Sequence, residues 1–242
     1  MRANLPPISE IWVYLSGSPL LALVLTLSAY LLGLVLYERS ERNPLANPVL
    51  IAVILVTLSI NVLDMPYAKY FEGAQFVHFL LGTATVSLAI PIYKGFASLK
   101  GRMGILMLAL LAGGVTSIFT AIGMARWLGV DESLVQGLVA KSVTAPIAMG
   151  IAERVQASPT LTAIFAVSTG ILGAILGRYV LDALRITAWW QRGFALGVAA
   201  HGIGTSRAFS VNQEAGAYAS LGMGLHGILG AVLIPYAAAW WF

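Results

Sequence analysis

Two short polar runs interrupt an otherwise apolar sequence, and both hold residue types that bind anions. The first is Lys141-Ser142-Val143-Thr144-Ala145-Pro146. An ammonium buried in a bilayer costs at least about 2.5–3.5 kcal/mol on insertion scales, so something must offset it, and an anionic ligand is one such partner. The competing account places Lys141 at a membrane edge with its head in water. Pro146 removes a backbone donor and frees a carbonyl, while Ser142 and Thr144 either satisfy backbone groups or face a ligand. The second run is His201-Gly202-Ile203-Gly204-Thr205-Ser206-Arg207. Gly202 and Gly204 let the backbone open, and exposed amides at a helix N-terminus attract carboxylate or phosphate. The planar guanidinium of Arg207 can hold a carboxylate through two hydrogen bonds, and an imidazole at His201 that titrates near neutral pH can couple proton movement to that binding. The alternatives are a packed interior histidine and a cytoplasmic anchor. His78 and His226 stand alone on apolar segments and read as packing residues.

The elements that carry these runs must cross a membrane. The 242 residues are 59% hydrophobic and 10% charged, against roughly 45–50% apolar and about 25% charged in ordinary soluble domains. So few charges cannot cover a water-facing surface. The apolar residues fall into long blocks with no second composition type, which reads as one all-α membrane domain over 1–242. The sequence has no cysteine, which excludes disulfides and thiolate-ligated metals. Fourteen Lys and Arg are scattered singly or in pairs, a distribution that suits topology signals better than nucleic-acid binding. Met1 to Gly17 lacks a continuous apolar stretch, so no cleavable signal is expected.

At about 20 residues per crossing, seven spans are expected: Pro19–Tyr37, Asn47–Leu63 entered through Asn47-Pro48, Phe76–Ile92, Met103–Met124, Leu161–Leu184, Trp189–Ser210 and Ala217–Phe242. Phe76–Ile92 is expected to be weakened at Gly82 and Thr85. Gly170, Gly173 and Gly177 form a close-packing face, from which an oligomer is expected. Trp240-Trp241 reads as an aromatic anchor. Arg39 and Arg42 lie in the connection at 38–46, and Lys and Arg dominate those at 93–102 and 185–192, which places all three on the cytoplasmic side. One span, Leu161–Leu184, then suffices to return the chain, so Leu134–Ala152 must enter and leave on the same side as a re-entrant segment tipped near Thr144-Ala145-Pro146. A short echo relates Thr85-Val86-Ser87-Leu88-Ala89 to Thr144-Ala145-Pro146-Ile147-Ala148, and paired interrupted segments mark the site in many secondary transporters.

Other chemistry finds little support. Gly202-x-Gly204 follows no strand, and no Gly-x-x-x-x-Gly-Lys-[Ser/Thr] loop occurs, so neither dinucleotide nor ATP binding is implied. Ser206 in Gly204-Thr205-Ser206-Arg207-Ala208 misses the Gly-x-Ser-x-Gly pattern of hydrolases. No enzyme, cofactor or metal is expected. The expected site is lined by Thr85, Lys141, Ser142, Thr144, His201, Thr205 and Arg207, with backbone breaks at Gly82, Pro146, Gly202 and Gly204.

The ordered stretches Asn47-Pro48-Val49-Leu50, Gly82-Thr83-Ala84-Thr85-Val86, Lys141 to Ala148, Leu161-Thr162-Ala163, Gly170-Ile171-Leu172-Gly173-Ala174, His201-Gly202-Ile203-Gly204-Thr205 and Ala215-Gly216-Ala217 resemble the LrgB/CidB family over nearly the whole chain. The resemblance implies a multi-pass protein of the bacterial inner membrane. It implies either of two roles: an antiholin-like effect on murein hydrolase export and lysis, or carriage of glycolate, glycerate or pyruvate, as plastid and bacterial relatives are described to do. It also implies a homo-oligomer and a small membrane partner of LrgA/CidA type. Thr83 stands where the family usually has proline, and Gln213 where glutamate is frequent.

Overall fold

A computed structural model describes residues 19–87, 90, 93 and 101–239, without the side chains at 78, 81, 82, 84 and 85. Met1–Gly17, the basic residues Lys94 and Lys100, and Trp240-Trp241 therefore lie outside the described residues. Those described form α-helices and short connections, with no strand among them. The chain divides into two compact units, residues 1–84 and 85–242.

The first unit holds α1 (Pro19–Arg39), a 3-10 turn at Pro44–Ala46, α2 (Pro48–Val62) and most of α3 (Tyr67–Ser87). Helix α2 starts where the sequence predicts, because the Asn47 side chain accepts from the Val49 and Leu50 amides and Pro48 needs no partner. Gly33 lets α1 lie against Pro48, where a Cβ would stand 2.7 Å from the proline carbonyl oxygen. Helix α3 corrects the expected Phe76–Ile92 segment. It begins just after Pro66, nine residues earlier, and runs through Gly82 and Thr85 to Ser87 without interruption. Its first turns, with Lys69, Glu72 and Gln75, are too polar to register as membrane-like, so hydropathy alone places the start too late. Glycine and threonine in mid-helix cost only propensity, and no proline falls inside α3 to force a break.

In the second unit α4 (Met103–Trp127) is followed by the short α5 (Glu132–Leu138) and α6 (Ala145–Arg154), then α7 (Pro159–Ala183), α8 (Trp189–Val211) and α9 (Gln213–Ala238). The Asp131 side chain caps α5, and bonds from the Ser133 hydroxyl and amide hold its carboxyl below the usual range. Gly137 of α5 packs against Leu161 and Phe165 at the start of α7, and only residues 155–158 join the end of α6 to that same start. The outer ends of α5 and α6 therefore lie together. The turn between them points inward, where Lys141 reaches Ser117 midway along α4. The segment expected to be re-entrant is thus two short helices joined by an inward turn.

Helix α8 departs from expectation. At His201 the backbone takes φ 40°, ψ −127°, and the helix breaks into α8a (189–200) and α8b (202–211). Residues 196 and 204 would lie about 12 Å apart along a straight helix, yet a Cβ on Gly204 would stand 2.5 Å from the Leu196 carbonyl oxygen. The chain has folded back on itself. Segment 189–211 is thus a second hairpin rather than a span. The four helices long and apolar enough to cross a membrane among the described residues are α1, α4, α7 and α9, with α2 shorter. The seven-span count is not reached.

The two hairpins enter from opposite ends. Arg102 at the head of α4 stacks on Trp190 at the head of α8 and contacts Tyr218 early in α9, whereas Ile122 and Ala125 near the foot of α4 pack with Val135 of α5 and with Ile234 and Ala238 of α9. The chain therefore runs down α4, in and out through the first hairpin, up α7, in and out through the second, and down α9. Arg102, Arg178, Arg185 and Arg192 gather at the upper end.

Candidate functional site

The site is built from the two hairpin tips and the middles of the three long helices. On α7, Ala166 is the meeting point. Its methyl packs with Val139, Val143 and Ala148 of the first hairpin, and its carbonyl oxygen accepts from His201 Nε2 at 2.8 Å. Gly170 makes that contact possible, since a Cβ there would stand 2.7 Å from His201 Cε1. A non-glycine residue at φ 40° stores on the order of 1–3 kcal/mol of strain, held only where neighbours over-determine it. Here the Ala166 bond, the Thr205 hydroxyl donating to the His201 carbonyl oxygen at 2.7 Å, and close backbone packing do so. Gly193 and Gly197 lie against the Ala215 and Ala219 carbonyls so tightly that no Cβ fits.

At the first tip, Lys141 Nζ donates to Ser117 Oγ of α4 at 2.8 Å. Among the described residues no carboxylate pairs with it. Ser142 is buried and its Oγ lies 3.1 Å from His226 Nε2 of α9. Thr144 precedes the first turn of α6 without capping it, and its buried Oγ1 has no hydrogen-bond partner among the described residues; an unmade bond of this kind costs about 1–3 kcal/mol. Two half-helices, α6 and α8b, thus begin at the tips, so that the positive ends of their dipoles face the interior where Lys141 sits.

A cavity of about 820 Å³ opens between α4, α7 and α8a. Trp190 and Gln191 lie toward its arginine-rich end, and Ser117, Lys141, Thr169 and His226 form its polar inner end. A second cavity of about 310 Å³ runs between α4 and α9, lined almost wholly by aliphatic and aromatic groups.

The expected residues are therefore brought together in part. Lys141 lines the cavity's inner end, Ser142 reaches it only through His226, and Thr144 lies at the neighbouring helix start. His201 and Thr205 hold the second tip, Thr205 being buried against Met223, and neither lines the cavity. Gly204 is needed for the fold-back, and Gly202 begins α8b. Pro146 stands in the first turn of α6, where its missing N–H costs nothing; it starts that helix rather than breaking one. Arg207 is half-buried six residues along α8b from the tip, about 9 Å at helical rise, and lines neither cavity. The side chain of Thr85 lies outside the described residues. Gly173 and Gly177 pack on Ala200 and Leu196 within the chain, so the face expected to drive self-association is already used. The residues missed are Ser117, Thr169 and His226; a single polar residue in an apolar span carries no spacing signal.

The profile of the LrgB-like family matches residues 26–240. The uncharacterized protein YwbG of Bacillus subtilis is 33% identical over 217 residues, covering 90% of this chain and 96% of the relative. The holin-like protein CidB of Staphylococcus epidermidis is 30% identical over 211 residues, covering 85% and 92%, and that of Staphylococcus aureus is 29% identical over the same length. No solved structure matches the chain.

Proposed function

The chain belongs to the LrgB-like family, and from that premise we propose that it is a multi-pass protein of the bacterial inner membrane that gives small 2-hydroxy or 2-oxo monocarboxylates, the glycolate, glycerate and pyruvate class, a route through the bilayer. The relatives' names speak directly for a holin-like role, and they say nothing of carboxylates. The choice of an anion rests on this chain's own geometry, and the choice of these carboxylates on the resemblance. The observation that carries it is Lys141, a cation without a carboxylate partner among the described residues, placed at the inner end of a cavity and held there by the Ser117 hydroxyl. An ammonium so placed needs a transient counter-ion, and helix N-termini suit carboxylates. A cavity that reaches the middle from one end fits alternating access, in which the hairpins move against the three long helices.

A holin-like action is the second reading, favoured by the CidB relatives. In it the hairpins would part to leave an unselective pore, with effects on murein hydrolase export and lysis. Neither reading calls for catalysis, and Ser206, the candidate nucleophile, lies on the exposed face of α8b. Co-purification from membranes would test the implied homo-oligomer and the LrgA/CidA-type partner.

The deciding experiment is uptake of labelled glycolate, glycerate and pyruvate into proteoliposomes holding the purified protein, beside Lys141→Ala and Arg207→Ala. Saturable uptake lost in Lys141→Ala is the expected result, with a smaller loss in Arg207→Ala because that residue stands back from the cavity. General leakage of unrelated solutes would favour the pore.

A further inference from the structure

From sequence alone His226 reads as a packing residue, and its surroundings give it more to do. It is the one residue that lines both cavities. Its ring lies against Gly114 of α4, where a Cβ would stand 3.0 Å from Cε1, and its Nε2 lies 3.1 Å from Ser142 Oγ at the first tip. The titratable groups within electrostatic reach are Lys141 from the first hairpin and His201 from the second. Ser117 of α4 and Thr169 of α7 add only hydroxyls, and no carboxylate among the described residues faces the ring.

Resting on the carboxylate reading above, we propose that His226 is the proton-carrying residue of this site, taking up one proton as a carboxylate seats between it and Lys141. With the site empty, a second cation beside the Lys141 ammonium is opposed by like charge at low dielectric. A carboxylate brings the negative charge that lets both cations stand together. The proton comes from water on the side from which the carboxylate enters and binds Nε2. Ser142 permits this without losing its bond, because its hydroxyl donates to bare Nε2 and accepts from Nε2–H. The carboxylate and proton leave together on the other side, and no net charge crosses. His201 is unsuited to this role, because it lines neither cavity. A Ser–His pair at this distance also occurs in hydrolases, but there a third group orients the histidine, and no acid among the described residues is within reach here.

The test is proton uptake on addition of glycolate to the purified protein, read with a pH indicator beside calorimetric binding, in wild type and His226→Gln. Glutamine keeps a hydrogen bond to Ser142 and cannot titrate. About one proton per glycolate bound is expected in wild type and less than roughly a tenth of that in the variant. In proteoliposomes, whatever glycolate uptake His226→Gln retains should no longer be accelerated by a pH gradient. Proton uptake that survives in His226→Gln, or glycolate binding without a proton in wild type, overturns the assignment and leaves the carboxylate reading intact. Failure of wild type to bind any of the three acids overturns both, and is told apart by the absence of binding heat. Should His226→Gln fail to fold, Ser142→Ala serves: the pH midpoint of wild-type transport should move, and an unmoved midpoint overturns the proposal.

Discussion

Replacing Lys141 by methionine separates function from folding. Methionine keeps the length of the side chain and removes its charge. A carboxylate about 4 Å from an ammonium gains about 4 kcal/mol at an effective dielectric constant near 20, so removing the charge should weaken glycolate binding roughly a thousandfold. The cost to the fold is small. The Lys141 to Ser117 bond contributes about 1.5–3 kcal/mol, as hydrogen bonds to charged groups do, while about 2.5–3.5 kcal/mol of insertion penalty disappears with the charge. The two nearly cancel. Thermal unfolding in detergent should therefore show a transition unchanged or raised, while calorimetry shows binding lost. Binding within about tenfold of wild type would refute the assignment of Lys141 as the anion's counter-charge, and a collapsed transition would recast it as a structural residue.

Further outcomes follow from the second hairpin and the helix caps. His201→Gly should be more stable than His201→Ala by about 1–3 kcal/mol, because glycine adopts φ 40° freely while alanine keeps the strain and loses the Ala166 bond; thermal unfolding of both variants gives the order. Gly197→Ala should cost at least about 1–3 kcal/mol, since its Cβ would run into the Ala219 backbone, whereas Gly150→Ala, with open space around it on α6, should be neutral or stabilising by about 0.5–1 kcal/mol; the same transitions measure both. The Asp131 carboxyl lies below its usual value, so its stabilisation of α5 is present above the unfolded pKa and lost as pH falls through the lower folded value. Asp131→Asn, which keeps the cap without the charge, should flatten amide-exchange protection of α5 across that acid range.

Much of the fold is legible because the solvent enforces it. Long apolar blocks have few options in a bilayer, so α1, α2, α4, α7 and α9 fall close to their expected places. The first hairpin is legible from the placement of charges alone: positive connections at 93–102 and 185–192 leave an even number of crossings between them, and Lys141 marks the segment that turns back. The reversal at the second hairpin is not, because Trp189–Ser210 has the length of a span: the backbone opening expected at Gly202 and Gly204 falls beside the observed break at His201, but nothing in the spacing says that the chain turns back there. The reversal is dictated by Gly193, Gly197 and Gly204 packing against neighbours, a tertiary fact. The short echo expected at Thr85 has no matching break, since the helix runs unbroken through Thr85 to Ser87; the interrupted segment opposite 139–144 is the one at His201. At the site, Lys141 and Ser142 are legible by their cost in lipid. Ser117 and His226 are not, because each is a lone polar residue on a helix and only the packing of α4 and α9 against the first tip gives it a partner.

The central claim is that two hairpins enter the second unit from opposite faces and meet beside Lys141. The absence of cysteine allows single cysteines to be placed directly in the natural sequence, at exposed Thr187 and Gln213 on either side of the second hairpin and at Leu128 and Val155 on either side of the first. Labelled in sealed vesicles with a membrane-impermeant maleimide, Thr187→Cys and Gln213→Cys should react from one face, and Leu128→Cys and Val155→Cys from the other. Reaction of Thr187→Cys and Gln213→Cys from opposite faces would make 189–211 a crossing and contradict the site as built.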